Sequence, residues 1–241
     1  MKTLYALILL AALALVPAVL GDHPERVLDD TSPAVKPTER PSHSPELADD
    51  VDDLLRQVVV AKERPDRAGY DRDCGRDGAC SFGPAWSDDY DGPGGHDGCD
   101  TRNNVLQRDL VDTTFRPGTH NCVVISGQLN DPYTGATIDF TKQHASAVQI
   151  DHLYPLAAAW DMGAADWPLE RRIQFANDVD VNLLAVDGRA NASKGDRTPG
   201  EWLPISKTYA CTYVTRFLRV AIAYDLPVTA ADVDASKAAC S

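Results

Sequence analysis

Three stretches in this chain carry polar residues whose types and spacing suit chemistry. Asp151 and His152 are adjacent in "QIDHLYPL", residues 149–156. Asn182 opens "NLLAV", and Asn191 and Lys194 sit in "NASKGD". A histidine has the ordinary pKa of a general base near neutral pH. A carboxylate and an amide offer the hard oxygen donors that Mg²⁺ prefers, and that ion keeps several waters. A base for water and a cation to hold phosphate are what phosphodiester hydrolysis requires. Asp151, His152 and Asn191 supply those groups.

These residues must be brought together by the elements that carry them. "AVQIDH" reads as a strand, and Pro155 marks its exit. Adjacent strand side chains point to opposite faces, so Asp151 and His152 need a bend to converge. "WPLERRIQFAN" is helical, with Pro168 suited to its first turn. "NLLAV" is a short apolar strand, and "DGRANASKGD" turns into a short helix. The chain therefore predicts a pair of strands followed by a helix. Upstream, Asp100 caps a helix on which Leu106 and Leu110 share a face. "CVVISGQL" and "ATIDF" flank "DPYTG" and read as a hairpin. Tyr213, Phe217, Val220 and Tyr224 mark an amphipathic helix, and "TAAD" at 229–232 resembles a cap before a last one. Earlier, Leu47, Val51, Leu54, Leu55 and Val58 give helical spacing within 45–63.

Lys2 followed by "LYALILLAALALVPAVLG" fits a secretory signal peptide over residues 1–21. The uninterrupted run, 4–16, is short against the ~20 apolar residues of a spanning helix. Residues 22–67 read as an acidic tether or pro-segment with one helix, and 68–241 as the folded domain. The expected protein is extracellular, with no membrane association after cleavage. Six cysteines in an exported chain point to disulfides and allow about 15 pairings. The placement of elements favours Cys99 with Cys122, Cys211 with Cys240, and Cys74 with Cys80. The net charge is −13, which argues against a broad basic surface for nucleic acid. Any polyanion contact must be local. Arg102 near a helix start, and Lys194 and Arg197 beside Asn191, are the candidate phosphate contacts. Asp88, Asp89, Asp91 and Asp97 match no EF-hand spacing and read as solvated turns.

"IDHLYPL", "NLLAV" and "NASKGD", in that order, resemble the motif of the HNH endonucleases, whose core is the ββα-metal fold. "YDRD" at 70–73, "CDTRNNVLQRDL" at 99–110, "DPYTG" at 131–135 and "WLP" at 202–204 resemble a secreted bacterial branch of that family. The resemblance implies an α+β fold with an HNH core, elaborated by extra helices and a hairpin and stapled by disulfides. It implies His152 as general base, Asp151 and Asn191 on one Mg²⁺ (Mn²⁺ as the substitute), and Asn182 holding the second strand against the loop of His152. Lys194 would neutralise phosphate or fix the helix. The implied activity is cleavage of DNA, with RNA as a further substrate, with little sequence preference, leaving 5′-phosphate ends. Two departures stand out. The family's last position is often His and here is Asn191, which is also the head of an N-glycosylation signal, "NAS". "CGRDGAC" inserts a cysteine-bounded loop after "YDRD". The alternative from another class is a secreted binding module that keeps the fold without turnover.

Overall fold

The computed structural model describes residues 46–72 and 80–241. The expected signal peptide, the tether up to residue 45 and Cys74 lie outside the described residues. The first helix, α1 (Glu46–Leu55), ends before Val58, and Val60–Ala61 form the short strand β1 instead. Next come α2 (Thr101–Asp109), β2 (Val111–Phe115), β3 (Val124–Asn130) and β4 (Thr137–Thr141). Strand β5 (Val148–His152) and helices α3 (Leu156–Asp161) and α4 (Leu169–Asn177) follow. The chain then forms β6 (Leu183–Asp187), α5 (Gly188–Lys194), α6 (Lys207–Tyr224), β7 (Val228–Thr229) and α7 (Ala230–Ala239).

The result is a mixed helix-and-sheet (α+β) fold with three small sheets among the described residues. β2–β3–β4 is antiparallel, β5 pairs antiparallel with β6, and β1 lies parallel to β7. Strand β2 was not foreseen. Its sequence, "VDTTF", lacks an apolar alternation, and its pairing with β3 is interrupted by register shifts.

The β5–β6 pair divides the interior, because both of its faces are covered. Ile150, Leu183 and Ala185 face one cluster, with Val105 and Leu106 of α2 and Phe140 of β4. Leu184 and Val186 face the other, with Phe217 and Leu218 of α6 and Val51 of α1. This is why "NLLAV" is a continuous apolar run rather than an alternating one. α1 belongs to the core shared with residues beyond 68, since Val51 and Leu54 are buried there. Each such side chain contributes roughly 1.5–3 kcal/mol of burial.

Caps and staples fix the ends. Asp100 accepts from the Asn103 N–H and caps α2. Asp187 accepts from Arg189 and Ala190 and caps α5. Thr229 and Asp232 form a capping box on α7. Cys99–Cys122 ties the start of α2 to the approach to β3, and Cys211–Cys240 ties α6 to the end of α7. Cys80 is also disulfide-bonded.

Candidate active site

The end of β5 carries the site. Asp151 lies opposite Leu184 and His152 opposite Leu183, so the two side chains leave the strand on opposite faces. Both nevertheless line one groove at the end of the strand, where the chain bends at Leu153–Tyr154. Asn182 makes that bend. Its backbone carbonyl accepts from the Leu153 N–H at 2.8 Å, and its Oδ1 accepts from the Tyr154 N–H at 3.0 Å. Its Nδ2 donates to the Phe175 carbonyl at 3.2 Å. Asn182 is fully buried, so it acts on the loop and not on a substrate.

His152 is held by the end of α4. Its Nε2 lies 2.9 Å from the Ala176 carbonyl. A carbonyl only accepts, so Nε2 carries the proton and Nδ1 carries the lone pair. Trp86 stacks on the ring, with centroids 6.0 Å apart and planes 16° apart. Burial pushes the imidazole pKa down to about 3, with a smaller lowering from nearby Arg72 and Lys194. The ring is therefore neutral at working pH, with its lone pair on Nδ1.

Asp151 sits in a buried network. Lys194 Nζ donates to its Oδ1 at 2.9 Å and to the His152 carbonyl at 2.8 Å. Tyr133 donates its hydroxyl to Oδ2 at 2.5 Å. Burial lowers the Lys194 pKa, opposed by Asp151, and raises that of Tyr133. The phosphate contact expected of Lys194 gives way to a structural one. Its side chain is 0% exposed, so its ammonium reaches a carboxylate and a backbone carbonyl rather than solvent.

Asn191 stands on α5 beside the same strand. Its Nδ2 donates to Gln149 Oε1 at 2.9 Å, which leaves its carbonyl oxygen for another partner. The nitrogen that a glycan would need is the one engaged. Gln149, Asp151, His152, Asn191 and Arg72 line a groove of about 500 Å³.

The other expected phosphate contacts are tied to backbone. Arg102 donates to the Ala145 and Val148 carbonyls at 3.2 and 3.0 Å, locking α2 to the start of β5. Burial lowers its pKa. The expected substrate role of Arg102 is thus replaced by a bracing one, because its donors are spent inward. Arg197 is exposed but donates to the Lys194 and Ser193 carbonyls at the end of α5. Arg72, which the spacing argument passed over, is exposed and lines the groove. Its signal was "YDRD", and that of Tyr133 was "DPYTG". The Asp-rich stretch is a turn, as expected. Asp88 accepts from the N–H groups of Asp97 and Gly98. Among the described residues no group of three or more His, Cys, Asp or Glu is placed to hold a metal.

An antiparallel strand pair and a capped helix thus present a neutral histidine beside a carboxylate and an amide in one groove. Residues 100–235 match the family described as GmrSD restriction endonucleases, C-terminal domain. That span is more than half of the chain, and the protein belongs to this family. A protein of Arthroderma benhamiae described as an uncharacterized secreted protein is 41% identical over 138 residues, covering 57% of this chain and 64% of that relative. The chain thus matches less than two thirds of the relative's length. No solved structure matches. The family carries a nuclease description, and the relative's description agrees with a secreted location.

Proposed function

We propose that this secreted protein is an HNH-type endonuclease that hydrolyses phosphodiester bonds with the help of a divalent metal. The observation that carries the reading is the fixed tautomer of His152. The Ala176 carbonyl takes the Nε2 proton, and the lone pair of Nδ1 remains for water. Family membership supports a nucleic-acid substrate. DNA is the first substrate to test, and RNA the second.

The donor set suits one oxygen-seeking cation. Asp151 retains a second lone pair on each carboxylate oxygen, and Asn191 has its amide oxygen free of the Gln149 contact. These two residues would hold Mg²⁺ or Mn²⁺, with water and phosphate completing the shell. When bound, the ion would polarise the phosphate and stabilise the leaving oxygen. Lys194 already neutralises Asp151, so the site would bind the ion weakly in the absence of phosphate. His152 accepts the proton of the attacking water at Nδ1. Ala176 and Asn182 keep the ring and its loop in place, and Arg72 meets phosphate charge at the groove. With a net charge of −13, affinity rests on these local cations and falls steeply with salt.

The test is cleavage of plasmid DNA and of RNA by the oxidised protein, with Mg²⁺, with EDTA, and in His152→Ala. The expected result is metal-dependent cutting that drops roughly 10²- to 10⁴-fold in a folded His152→Ala variant. A wild-type protein inert on both polymers with Mg²⁺, Mn²⁺ and Ca²⁺ would replace the enzyme reading with that of a binding module.

A further inference from the structure

Beside the groove lies a second, smaller cavity of about 70 Å³. Its walls are apolar, from Phe82, Pro84, Trp86 and Leu156, and three polar residues, Arg72, His152 and Asn177, border it. His152 and Arg72 line both cavities, so the two spaces adjoin at the candidate base. Asn177 is 1% exposed. Its Nδ2 donates to the Ile173 carbonyl at 2.9 Å, and its Oδ1 has no hydrogen-bond partner among the described residues. Turning the amide over would set oxygen against oxygen, so the orphan acceptor is fixed. A buried acceptor without a donor is costly, and native proteins rarely retain one without a use.

The walls are held in place. Gly83 has φ +72°, and a Cβ there would lie 2.4 Å from Ile173 Cγ1, so the loop runs directly against α4. The Thr101 N–H donates to the Trp86 carbonyl, and the Thr101 hydroxyl to the Ser87 carbonyl. An indole face, a guanidinium and one lone acceptor next to a phosphate-cutting residue are the parts of a base-stacking subsite.

We infer that the cavity formed by Trp86, Arg72 and Asn177 receives an unpaired nucleobase adjoining the phosphate that is cut. The inference rests on the nuclease reading and deepens it. The base stacks against Trp86, Arg72 meets the adjoining phosphate, and an exocyclic amino group donates to Asn177 Oδ1 after a small shift of the wall that covers this oxygen. Cytosine and adenine present such a group, whereas thymine and uracil do not. The cavity admits the edge of one planar ring and leaves no room for a paired base, so single strands are the favoured substrate.

The experiment compares initial cleavage rates on single-stranded oligonucleotides that differ only in the bases beside the cut sites, deoxycytidine or thymidine. The rate ratio is the readout, because a poorly folded variant slows both substrates together. Wild type is expected to cut the cytosine strand at least several-fold faster. Asn177→Leu is expected to bring that ratio close to one. Trp86→Ala is expected to lower single-strand cleavage about tenfold, and Trp86→Phe to restore most of it. Equal wild-type rates on the two strands, with cutting present, would overturn the subsite alone. So would an unchanged ratio in Asn177→Leu. A wild type inert on every polymer would overturn the nuclease reading, and the subsite with it.

Discussion

The two walls around His152 are built in different ways. One is regular: the β5–β6 pair, the capped helix α5 and the end of α4, knitted by Asp151, Lys194, Tyr133 and Asn182. The other, residues 81–100, contains no helix or strand. It is held by turns around Asp88, by the close approach of Gly83 and by the Cys99–Cys122 bond. The regular wall carries the groups that do chemistry, where a small displacement costs most. The irregular wall supplies an aromatic cover and a cavity. Precision in the first comes from buried polar partners, and shape in the second comes from backbone turns and one covalent bond.

That contrast makes its largest claim at Lys194. Lys194→Met removes the ammonium and leaves the Asp151 carboxylate buried with Tyr133 as its remaining side-chain donor. The expected loss is about 3–5 kcal/mol of unfolding free energy, read in urea titrations. Replacing both partners, in Lys194→Met with Asp151→Leu, should cost much less, because no unpaired charge remains. A single variant as stable as wild type would show that the regular wall does not depend on its buried network.

Much of the regular wall was legible in the residues. The β-branched run ending at His152, the proline after it and the apolar "NLLAV" each have one reading on a pleated pair. Local periodicity and capping chemistry also reach the helices, as with Thr229 and Asp100. The partners of the polar groups were not legible. Lys194 and Arg102 look like surface cations in a linear sequence, and burial against a carboxylate or two carbonyls depends on the tertiary fold. The irregular wall gave even less. Trp86 and Gly83 carry no periodicity, and they reach Asn177 at the end of α4 through contacts far apart in sequence. Where α1 ends was also set by tertiary pairing, since β1 lies on β7 and draws Val60 out of the helical pattern.

The irregular wall should be weakened most by removing its covalent tie. Cys99→Ser with Cys122→Ser opens a bridge that spans 23 residues. The expected loss is about 3 kcal/mol, of which most comes from the freed unfolded chain. The effect on the site should be uneven. Protease nicking should rise within 81–100, while amides of β5 and β6 keep their slow hydrogen exchange. Uniform loss of protection across both regions would mean that the two walls fold as one unit.

His152 belongs to both walls, bonded to Ala176 on one side and stacked on Trp86 on the other, so its protonation reports on their closure. Burial lowers its pKa from 6.5 to about 3 in the folded protein. As pH falls from 6.5, the unfolded chain takes up a proton that the folded chain refuses. Stability therefore drops with acid and is unaffected by this group only above about pH 7.5. Between pH 6.5 and 5 the loss should reach about 2 kcal/mol, and carboxylates contribute little over that range. Melting curves in EDTA should show this slope in wild type and lose it in His152→Asn. If wild type is flat over the same interval, water reaches the imidazole in the folded state. The aromatic cover would then be an open flank rather than a wall, and the ring would owe its orientation to Ala176 alone.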